Sequence, residues 1–536
     1  MKPEVTRWLL SESERDNPDT TIDAHHPGED AWSAGNVVTP LVDGAEYFAA
    51  LHRVLEATTE GDTVFLAGWQ IDADQLLTDD PQSAILAVLD RAENRKVKVH
   101  GLVWRSHTEQ LDFAAEKNRE VAEELADEDD EHAEVLLDMR VRRGGAHHQK
   151  FVVVRHRDDP SRDIAFVGGI DVAHNRRDTS DHHGDPQGER LADAYGPRPG
   201  WHDVHCAVTG PAVFDVETVF RERWEDPSPL APALHSRLRD RLSRVRREAS
   251  PLPPQAPPPP PVVGGTHVVQ ILRTYPHLHR PRAYPFARSG ERSIARAHMA
   301  AIGRAEELIY IEDQYLWSSS ITEDLAAALT ARPELRVIAV LPHRPDIDGA
   351  GALMQLEGRT QALEQLRAAG GDRFAAYGIE NHTGWPVYVH AKVFVIDDWY
   401  ATIGSDNVNR RSWTHDSELA ALVVDEAGTD HSPYARALRL RLAAEHLDRP
   451  LAGSEHEEAM ADCVTPRGAF VAYATAAAAL QAWHDAGRVG PRPAGRLRPL
   501  DPPAMSSWQR RAFEVPQRLV GDPDGRPREL RRRHEF

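Results

Sequence analysis

Two short stretches of the sequence place a histidine and a lysine two residues apart, directly before a run of apolar residues. The first is HHQKFVVV, with His148 and Lys150, and the second is HAKVFVID, with His390 and Lys392. Residues i and i+2 of an extended chain share a face, so each imidazole lies beside an ammonium group. One copy would be compatible with metal binding, catalysis or a satisfied core histidine. Two copies favour chemistry at a shared site.

Each His-x-Lys pair is followed, at a similar distance, by a glycine-rich turn. The first turn is GGID, with Gly168, Gly169 and Asp171, and the second is GSDN, with Ser405 and Asn407. Backbone and side-chain donors in such turns can bind the oxygens of an anion. The four stretches together therefore predict an anion-binding cleft that contains two imidazoles and two ammonium groups.

The elements that must position these residues are also repeated along the chain. Apolar β-type segments precede both His-x-Lys pairs in the same order, TVFLAGWQID (63–72) and VKVHGLVW (97–104) matching ELIYIEDQY (307–315) and LRVIAVLP (335–342). Helical patterns lie between these segments. We therefore predict an α/β fold of two similar mixed-sheet halves related by a pseudo-two-fold axis. Helices are expected to flank each sheet, with the active site between the halves.

A proline-rich segment near the middle of the chain, PLPPQAPPPPPVVGG, predicts a connector between the halves. Runs of proline form polyproline II rather than helix or central strand. The predicted organisation is an N-terminal extension (1–35), an N-terminal catalytic half (36–250), the Pro-rich linker (251–265), a C-terminal catalytic half (266–430) and a helical or irregular appendage (431–536).

Composition limits the classes of partner. The chain has 536 residues and a net charge of −21, which is unfavourable for nucleic-acid binding. The N-terminus lacks the apolar core of a secretory signal, and the alanine-rich stretch 468–482 is shorter than the ~20 residues that a membrane span needs. We expect a buried helix there. We also expect a monomeric cytoplasmic protein that meets a membrane only at its surface.

The second copy completes a known signature. His390, Lys392 and Asp397 form H-x-K-x4-D, and the chain resembles the phospholipase D superfamily, whose signature is a duplicated copy of this motif. Three further stretches are similar to the phospholipid-cleaving branch, namely FVGGIDVAHNRRDT, WHDVHCAVTGPAVFDVETVFRERW and IYIEDQYLW. The resemblance extends from about residue 36 to about residue 425, which is most of the chain.

The first copy departs from the signature at one position. Arg155 stands where the motif has its acid, and Asp158, Asp159 and Asp163 in the adjacent loop are candidates to replace it. The resemblance implies that this acid supports the structure rather than reacts. Asp397 and Asp171 are accordingly expected to be structural.

The resemblance implies cleavage of a phosphodiester through a phospho-histidine intermediate. His148 is implied to be the nucleophile, and His390 the acid that protonates the leaving alcohol and then the base that activates water. Lys150 and Lys392 would stabilise charge on the nonbridging oxygens. Because the lysines supply this charge, neither a metal nor another cofactor is expected.

The other candidate site residues follow from what these groups need. Each histidine requires a carboxylate on its second ring nitrogen, and Asp203 in WHDVH and Glu418 in HDSEL are the candidates. Asn407 is an additional catalytic candidate, and the predicted substrate-binding residues are Gly168, Gly169, Ser405 and Gln314. Gln314 could equally be the polar end of a core strand.

A zinc site is a competing interpretation, because histidines cluster in sequence at positions 147, 148, 182, 183, 202 and 205. An ammonium group between ligands, as at Lys150, is unfavourable for zinc. We therefore predict no metal site, and a structural or supporting role for His147.

The predicted function is that of a phospholipase D, which converts a glycerophospholipid at a membrane surface to phosphatidic acid and the head-group alcohol. A primary alcohol could replace water in a transphosphatidylation. The alternatives are a cardiolipin-synthase-like phosphatidyltransferase, a nucleic-acid phosphodiesterase and, if Arg155 marks a degenerate half, a non-catalytic lipid-binding scaffold.

Overall fold

The computed structural model of the protein describes residues 3–106, 114–124, 133–231, 248–279, 282–502 and 505–536. Its strands, in chain order, are β1 (Ser33–Val42), β2 (Thr63–Gly68), β3 (Lys98–Trp104), β4 (Ala133–Asp138), β5 (Phe151–Arg155), β6 (Ile164–Gly168), β7 (Gly200–His202), β8 (Val204–Thr209), β9 (His267–Tyr275), β10 (Glu291–Arg292), β11 (Leu308–Glu312), β12 (Arg336–Val340), β13 (Phe374–Ile379), β14 (Val387–Val389), β15 (Val393–Ile396), β16 (Tyr400–Gly404), β17 (Glu418–Asp425) and β18 (Leu497–Pro499). Except for β7 and β14, they form one continuous mixed sheet.

The two halves of this sheet repeat the same strand order. From the centre outward, the first half runs β1-β8-β6-β5-β2-β3-β4, and the second runs β9-β17-β16-β15-β11-β12-β13 with β18 at its edge. The outer strands β2, β3 and β4 pair in parallel, as do β11, β12 and β13. Strand β1 pairs with β9 in the middle. The predicted fold class, two similar mixed-sheet α/β halves, is therefore confirmed.

Helices cover both halves of the sheet. They are α1 (Pro3–Thr6), α2 (Glu12–Arg15), α3 (Gly44–Glu56), α4 (Ile85–Asn94), α5 (Ala114–Glu124), α6 (Ala212–Trp224), α7 (Ser293–Arg304), α8 (Ser319–Ala331), α9 (Ala350–Gly370), α10 (Arg410–Thr414), α11 (Pro433–His446), α12 (Ser454–Ala459), α13 (Pro466–Asp485), α14 (Ser507–Pro516) and α15 (Arg528–Arg533). In α3, Tyr47, Leu51 and Leu55 recur at helical spacing and are buried. None of the described helices has both the length and the apolar character needed to cross a membrane.

Helix α13 contains the alanine-rich stretch that was predicted to be a buried helix. One face is buried, with Ala469, Tyr473, Ala477 and Leu480, whereas Val471 is exposed. The helix is therefore amphipathic rather than enclosed. Alanine allows close packing on the buried side without excluding water from the other.

The proline-rich segment contains neither helix nor strand, as its composition predicts. It is nevertheless attached to the first half, because Arg155 donates to the carbonyl of Pro257 at 2.7 Å and Arg221 donates to that of Pro253 at 2.7 Å. The connector thus runs along the first half instead of extending into solvent.

One of the large hydrophobic core clusters contains residues from both halves. Val167 and Val204 from the first half belong to the same buried cluster as Val389, Val393 and Ala401 from the second. A short parallel pairing of β7 with β14 also joins the halves. This contact surface fixes the relative position of the two His-x-Lys segments, which lie at its edge.

Candidate active site

His148 is bound to a carboxylate from the other half of the protein. Its Nδ1 lies 2.9 Å from Glu418 Oε2, and its backbone N–H donates to the carbonyl of Ser417 at 2.9 Å. Glu418 is the first residue of the buried strand β17. Ser405 Oγ donates to the same carboxylate oxygen at 2.6 Å, and Ser405 is fully buried. The predicted substrate-binding Ser405 therefore lies behind Glu418 rather than at the cleft.

His390 is bound in the reciprocal way. Its Nδ1 lies 2.6 Å from Asp203 Oδ2, and its backbone N–H donates to the carbonyl of His202 at 2.7 Å. The β7–β14 pairing brings these segments together, and the indole of Trp201 lies 4.9 Å from the imidazole, centroid to centroid. Each half thus supplies one histidine and the carboxylate for the other half's histidine.

The second ring nitrogen, Nε2, has a different environment from Nδ1 in both imidazoles. Within the described ranges, Nδ1 of His148 and of His390 is hydrogen-bonded to a carboxylate, and Nε2 of neither accepts or donates a hydrogen bond. The side chain of His148 is 16% exposed and that of His390 is 8% exposed. Nδ1 of each imidazole is therefore anchored, whereas part of each ring is exposed to solvent.

The two lysines have different partners. Lys150 Nζ lies 3.1 Å from Asp171 Oδ2, and Asp171 also accepts the backbone N–H of Trp69 at 2.8 Å. Lys392 Nζ instead contacts Gln314 Oε1 at 3.4 Å and the carbonyl of His390. Burial, together with the charge of Lys150, lowers the pKa of Lys392 to about 8. Within the described ranges, Lys150 thus has a carboxylate at ion-pair distance and Lys392 has none.

Burial controls the protonation of the imidazoles. Loss of water lowers the pKa of both His148 and His390 well below the usual value, and the charges of Lys150 and Lys392 lower both further. Since both lysines act on both histidines, the four groups share one electrostatic environment. A bound phosphodiester would offset the lysine charges and allow one imidazole to become protonated.

The supporting carboxylates are also shifted by burial. Desolvation raises the pKa of Asp203 to about 6, and desolvation with the nearby charge of Asp416 raises the pKa of Glu418 to about 8. In the free protein, burial therefore disfavours an imidazolium paired with a carboxylate, both for His148 with Glu418 and for His390 with Asp203. A neutral imidazole, which a nucleophile must be, is the favoured form.

Gly168 and Gly169 allow neighbouring residues to lie close to the backbone, and their N–H groups are already hydrogen-bonded. A Cβ on Gly169 would lie 2.2 Å from Asp203 Oδ1, and one on Gly168 would lie 2.6 Å from the backbone of His205. Their N–H groups already donate to the carbonyls of Val204 and Lys150. Their predicted role as substrate donors does not match this geometry, because the backbone polar groups are occupied.

Asn407 and Gln314 are both buried. Asn407 is 3% exposed, and its Oδ1 is buried without a hydrogen-bond partner among the described residues. Gln314 Nε2 donates to the hydroxyls of Tyr388 at 2.6 Å and Tyr315 at 3.0 Å. Gln314 thus holds Lys392 through Oε1 and anchors it to two tyrosines.

Asp397 has the supporting position expected of the motif acid. Its carboxylate accepts the backbone N–H groups of Glu306, Glu307 and Leu308 at 2.7–2.9 Å, and so binds the start of β11. These contacts tie β15 to β11 at the end remote from His390. The carboxylate has no contact with the imidazoles.

At the equivalent place in the first half, Arg155 is part of an ion-pair network. Its guanidinium lies 2.9 Å from Asp163 and 2.8 Å from Glu217, and Asp163 accepts the N–H of His156 at 2.6 Å. Asp62, which was not among the sequence candidates, accepts the N–H of Arg157 at 2.9 Å. Acids nearby thus replace the missing one, at a distance from the cleft.

Two residues near the site were missed by sequence reasoning. Arg176 lies 4.1 Å from the ring centroid of Trp201, and its charge helps lower the pKa of His390. Asp416 accepts the N–H of Ala146 at 2.8 Å. The signal was present, because Arg176 belongs to HNRRDT and Asp416 to HDSEL, both of which flank assigned residues.

His147 lies beside Asp138 and not beside the carboxylate that binds His148. It is buried, with Nδ1 3.9 Å from Asp138, whose carboxylate also binds Arg140 and Arg223. The expected supporting role of His147 agrees with this placement.

Comparisons with known proteins show which families this chain is similar to. A family model described as "Phospholipase D" matches residues 58–331, and one described as "Cardiolipin synthase, PLD-like domain" matches residues 299–436. Phospholipase D alpha 1 of Vigna unguiculata is 25% identical over 519 residues, covering 73% of this chain and 63% of the relative. Phospholipase D alpha 2 of Oryza sativa subsp. japonica is 27% identical, covering 67% of this chain and 58% of the relative. The chain spans about three fifths of the length of these relatives.

A solved structure has a similar fold. The crystal structure of phosphatidylserine synthase from Haemophilus influenzae Rd KW20 superposes with a TM-score of 0.51 at 13% identity. The match covers 84% of this chain and 93% of that chain. At this identity the likeness concerns the fold alone.

Proposed function

Because the chain belongs to the phospholipase D superfamily, we propose that it hydrolyses glycerophospholipids to phosphatidic acid and the head-group alcohol. The observation that carries this proposal is the pair of histidine–carboxylate contacts formed across the two halves. Two anchored imidazoles beside two lysines suit a double displacement at an anionic phosphorus. A test is to incubate the protein with phosphatidylcholine vesicles and measure choline and phosphatidic acid.

In the first step, Nε2 of His148 attacks phosphorus, a P–N bond forms and the bond to the head-group oxygen breaks. With the substrate bound, Glu418 is a carboxylate that accepts a hydrogen bond from Nδ1–H of His148, which keeps the Nε2 lone pair available. His390, protonated once the phosphate is bound, donates its Nε2 proton to the departing oxygen. The alcohol leaves, and the phosphatidyl group stays on His148.

In the second step, His390 is neutral and accepts a proton from a water molecule, which attacks phosphorus. The P–N bond breaks, phosphatidic acid leaves and both imidazoles return to their starting states. A primary alcohol in place of water would give transphosphatidylation by the same route. Throughout, Lys150, Lys392 and Asn407 stabilise charge on the nonbridging oxygens.

A pH dependence follows from the shifted lysine. The pKa of Lys392 is lowered to about 8, so its charge is present below that pH and is lost above it. We expect kcat/KM for head-group release to fall as pH rises through about 8. Lys392→Arg, whose guanidinium stays protonated, should retain partial activity with the alkaline limb displaced to higher pH. If the alkaline limb of the pH profile is unchanged in this variant, the limb arises from another group.

A phosphatidyltransferase of the cardiolipin-synthase type is the second candidate. It is favoured by the second family model and would use the same residues with a lipid alcohol as acceptor. Phosphatidylglycerol as the sole lipid separates the two, because hydrolysis yields phosphatidic acid and transfer yields cardiolipin, each with glycerol. Nucleic-acid cleavage is disfavoured by the net charge of −21, and a nuclease assay at low salt tests it.

The C-terminal segment offers a surface for contact with a membrane. Trp508, Val515 and Leu519 recur at helical spacing on α14 and the turn after it, and each is at least 60% exposed. Arg511 and Arg518 are exposed on the same segment. An apolar face with flanking arginines suits the interface of an anionic bilayer. We propose that this segment holds the protein against its lipid substrate.

The double variant Trp508→Glu with Leu519→Glu is expected to lower co-sedimentation with phosphatidylglycerol vesicles by about fivefold or more. Hydrolysis on vesicles should fall in parallel, whereas hydrolysis of a short-chain monomeric phospholipid should stay within about twofold. Val471→Glu, an exposed apolar position on α13, is the matched control and should bind vesicles normally. Equal vesicle binding by all three proteins would contradict the proposal.

A further inference from the structure

Behind Asp203 lies a buried cluster of two histidines and two carboxylates that the proposed reaction does not use. Its members are Asp43, His182, His202 and Glu445. Asp43 precedes α3, His182 lies in the connection from β6 to β7, His202 ends β7 and Glu445 is on α11. None of the four is more than 1% exposed. The fold thus brings four potential metal ligands from four segments into a dry interior.

The ligand atoms have the spacing of a small coordination sphere. Glu445 Oε1 lies 3.2 Å from His182 Nε2 and 3.1 Å from His202 Nδ1. Asp43 Oδ1 lies 3.1 Å from His202 Nδ1, and all four ligand atoms lie within 4.8 Å of one another. Ligands of a tetrahedral zinc ion, with bonds of about 2.0–2.1 Å, are roughly 3.4 Å apart.

The second nitrogen of each imidazole has the partner that a metal-binding histidine requires. His182 Nδ1 lies 3.2 Å from the carbonyl of Trp201, and His202 Nε2 lies 2.7 Å from Glu312 Oε2. Metal-binding histidines usually donate this N–H to a carbonyl or carboxylate, which fixes the tautomer and orients the ring. The lone pairs of His182 Nε2 and His202 Nδ1 then point into the cluster.

Charge and hydrogen bonding also favour a cation. If both imidazoles are neutral, the two carboxylates carry a charge of −2, of which Arg441, 3.1 Å from Glu445 Oε2, offsets one unit, so a buried negative charge is left over. Asp43 Oδ2 is buried and, within the described part of the chain, has no hydrogen-bond partner. We propose that Asp43, His182, His202 and Glu445 bind one divalent transition-metal ion of the zinc class. A mixed nitrogen and oxygen donor set suits this class better than calcium or magnesium, which prefer oxygen alone.

The metal would be a positioning element rather than a reactant. His202 precedes Asp203, and its carbonyl accepts the backbone N–H of His390. Glu445, on α11, contacts the imidazole of His202 at 3.1 Å. The ion would therefore fix β7 and α11 together, and with them the carboxylate that orients His390. All four ligands come from the protein, as in structural rather than catalytic zinc sites.

This site differs from the zinc interpretation that sequence clustering suggested. Lys150 argues against a metal at His148, but it is not a member of the cluster formed by Asp43, His182, His202 and Glu445. Two of the four ligands, Asp43 and Glu445, lie far from the histidine-rich stretches in sequence. The competing explanation is that His182 and His202 are both doubly protonated and form ion pairs with the carboxylates.

Metal analysis of the purified full chain, after gel filtration in metal-free buffer, tests the proposal. We expect about one equivalent of a transition metal per chain. The isosteric variants Asp43→Asn and Glu445→Gln should retain less than about a fifth of that amount. The matched control is Asp406→Asn, which removes a carboxylate 3.0 Å from His298 in another buried pair and should keep the metal.

A second measurement keeps the test decisive if a variant fails to fold. Wild-type protein unfolded with a chelator and refolded without metal should bind Co²⁺ with the visible absorption of a four-coordinate ion, which Zn²⁺ then abolishes. Its Tm should rise by about 10 °C or more on metal addition. Wild-type protein that carries no stoichiometric metal and gains neither the absorption nor the Tm shift would overturn the proposal. That outcome would leave the phosphodiesterase proposal intact, because head-group release is measured separately.

Discussion

Replacing His148 by alanine is expected to abolish head-group release, with turnover reduced by up to about 10⁶-fold, as for residues that act as one catalytic unit. His390→Ala should lower turnover by about 10²–10⁴-fold or more, because it removes the acid and the base. Both imidazoles are anchored through Nδ1, and among the described residues neither has a partner at Nε2, so both losses are expected from chemistry at Nε2.

An activated substrate separates the two roles. A phosphatidyl ester of p-nitrophenol has a leaving group that needs no proton from the enzyme. With this ester, His390→Ala should release one equivalent of nitrophenolate in a burst and then stop, since hydrolysis of the intermediate still requires a base. His148→Ala should give no burst. Mass spectrometry of the quenched His390→Ala protein should locate the phosphatidyl group on His148.

His147→Ala is the matched control, because His147 is adjacent in sequence but lies beside Asp138 rather than in the cleft. It should keep turnover within about tenfold of wild type. A burst in His148→Ala with none in His390→Ala would reverse the assigned roles. Near-normal turnover in either variant would remove that histidine from the mechanism.

The fold could be predicted largely because the chain is duplicated. Apolar runs identify β2, β3, β11 and β12, and their repetition indicates two similar halves. Strand β4 could not be identified, since Ala133–Asp138 lies in an acidic segment whose composition suggests a solvated helix and loop. In the structure all six of its residues are buried, and it pairs with β3. Tertiary packing overrides local composition there.

The candidate site was predictable in its members but not in its pairings. Repeated His-x-Lys spacing indicates His148 and His390, and the need for an orienting carboxylate indicates Asp203 and Glu418. Which carboxylate meets which imidazole depends on how the halves pack, and sequence symmetry does not reveal this. The cluster of Asp43, His182, His202 and Glu445 could not be predicted from the sequence for the same reason, because its members come from four separate segments.

Each imidazole is paired with a carboxylate from the other half. This crossed pairing predicts different effects for the two carboxylate variants, and not only a loss of activity. Asp203→Asn should lower kcat on phosphatidylcholine by about 10³–10⁴-fold, because an amide cannot stabilise the imidazolium of His390. Asp203 Oδ1 accepts the N–H of Val204 at 2.9 Å, so the asparagine oxygen should stay there and turn its NH₂ toward His390 Nδ1. The imidazole would then be held in the wrong tautomer.

Glu418→Gln should act on the other half-reaction. Ser405 Oγ donates to Glu418 Oε2, so the glutamine oxygen should stay at that position, and its NH₂ should take the position of Oε1, 3.1 Å from His148 Nδ1. The loss of the carboxylate charge and the N–H placed against Nδ1–H both disfavour the tautomer whose Nε2 lone pair attacks phosphorus. On the p-nitrophenyl ester, Asp203→Asn should therefore keep the nitrophenolate burst, whereas Glu418→Gln should lose it. Because both variants are isosteric and both carboxylates are fully buried, a general loss of structure would suppress both bursts alike. Only the crossed pairing, with His148 as nucleophile, gives opposite results in the two variants, and a reversed pattern would make His390 the nucleophile.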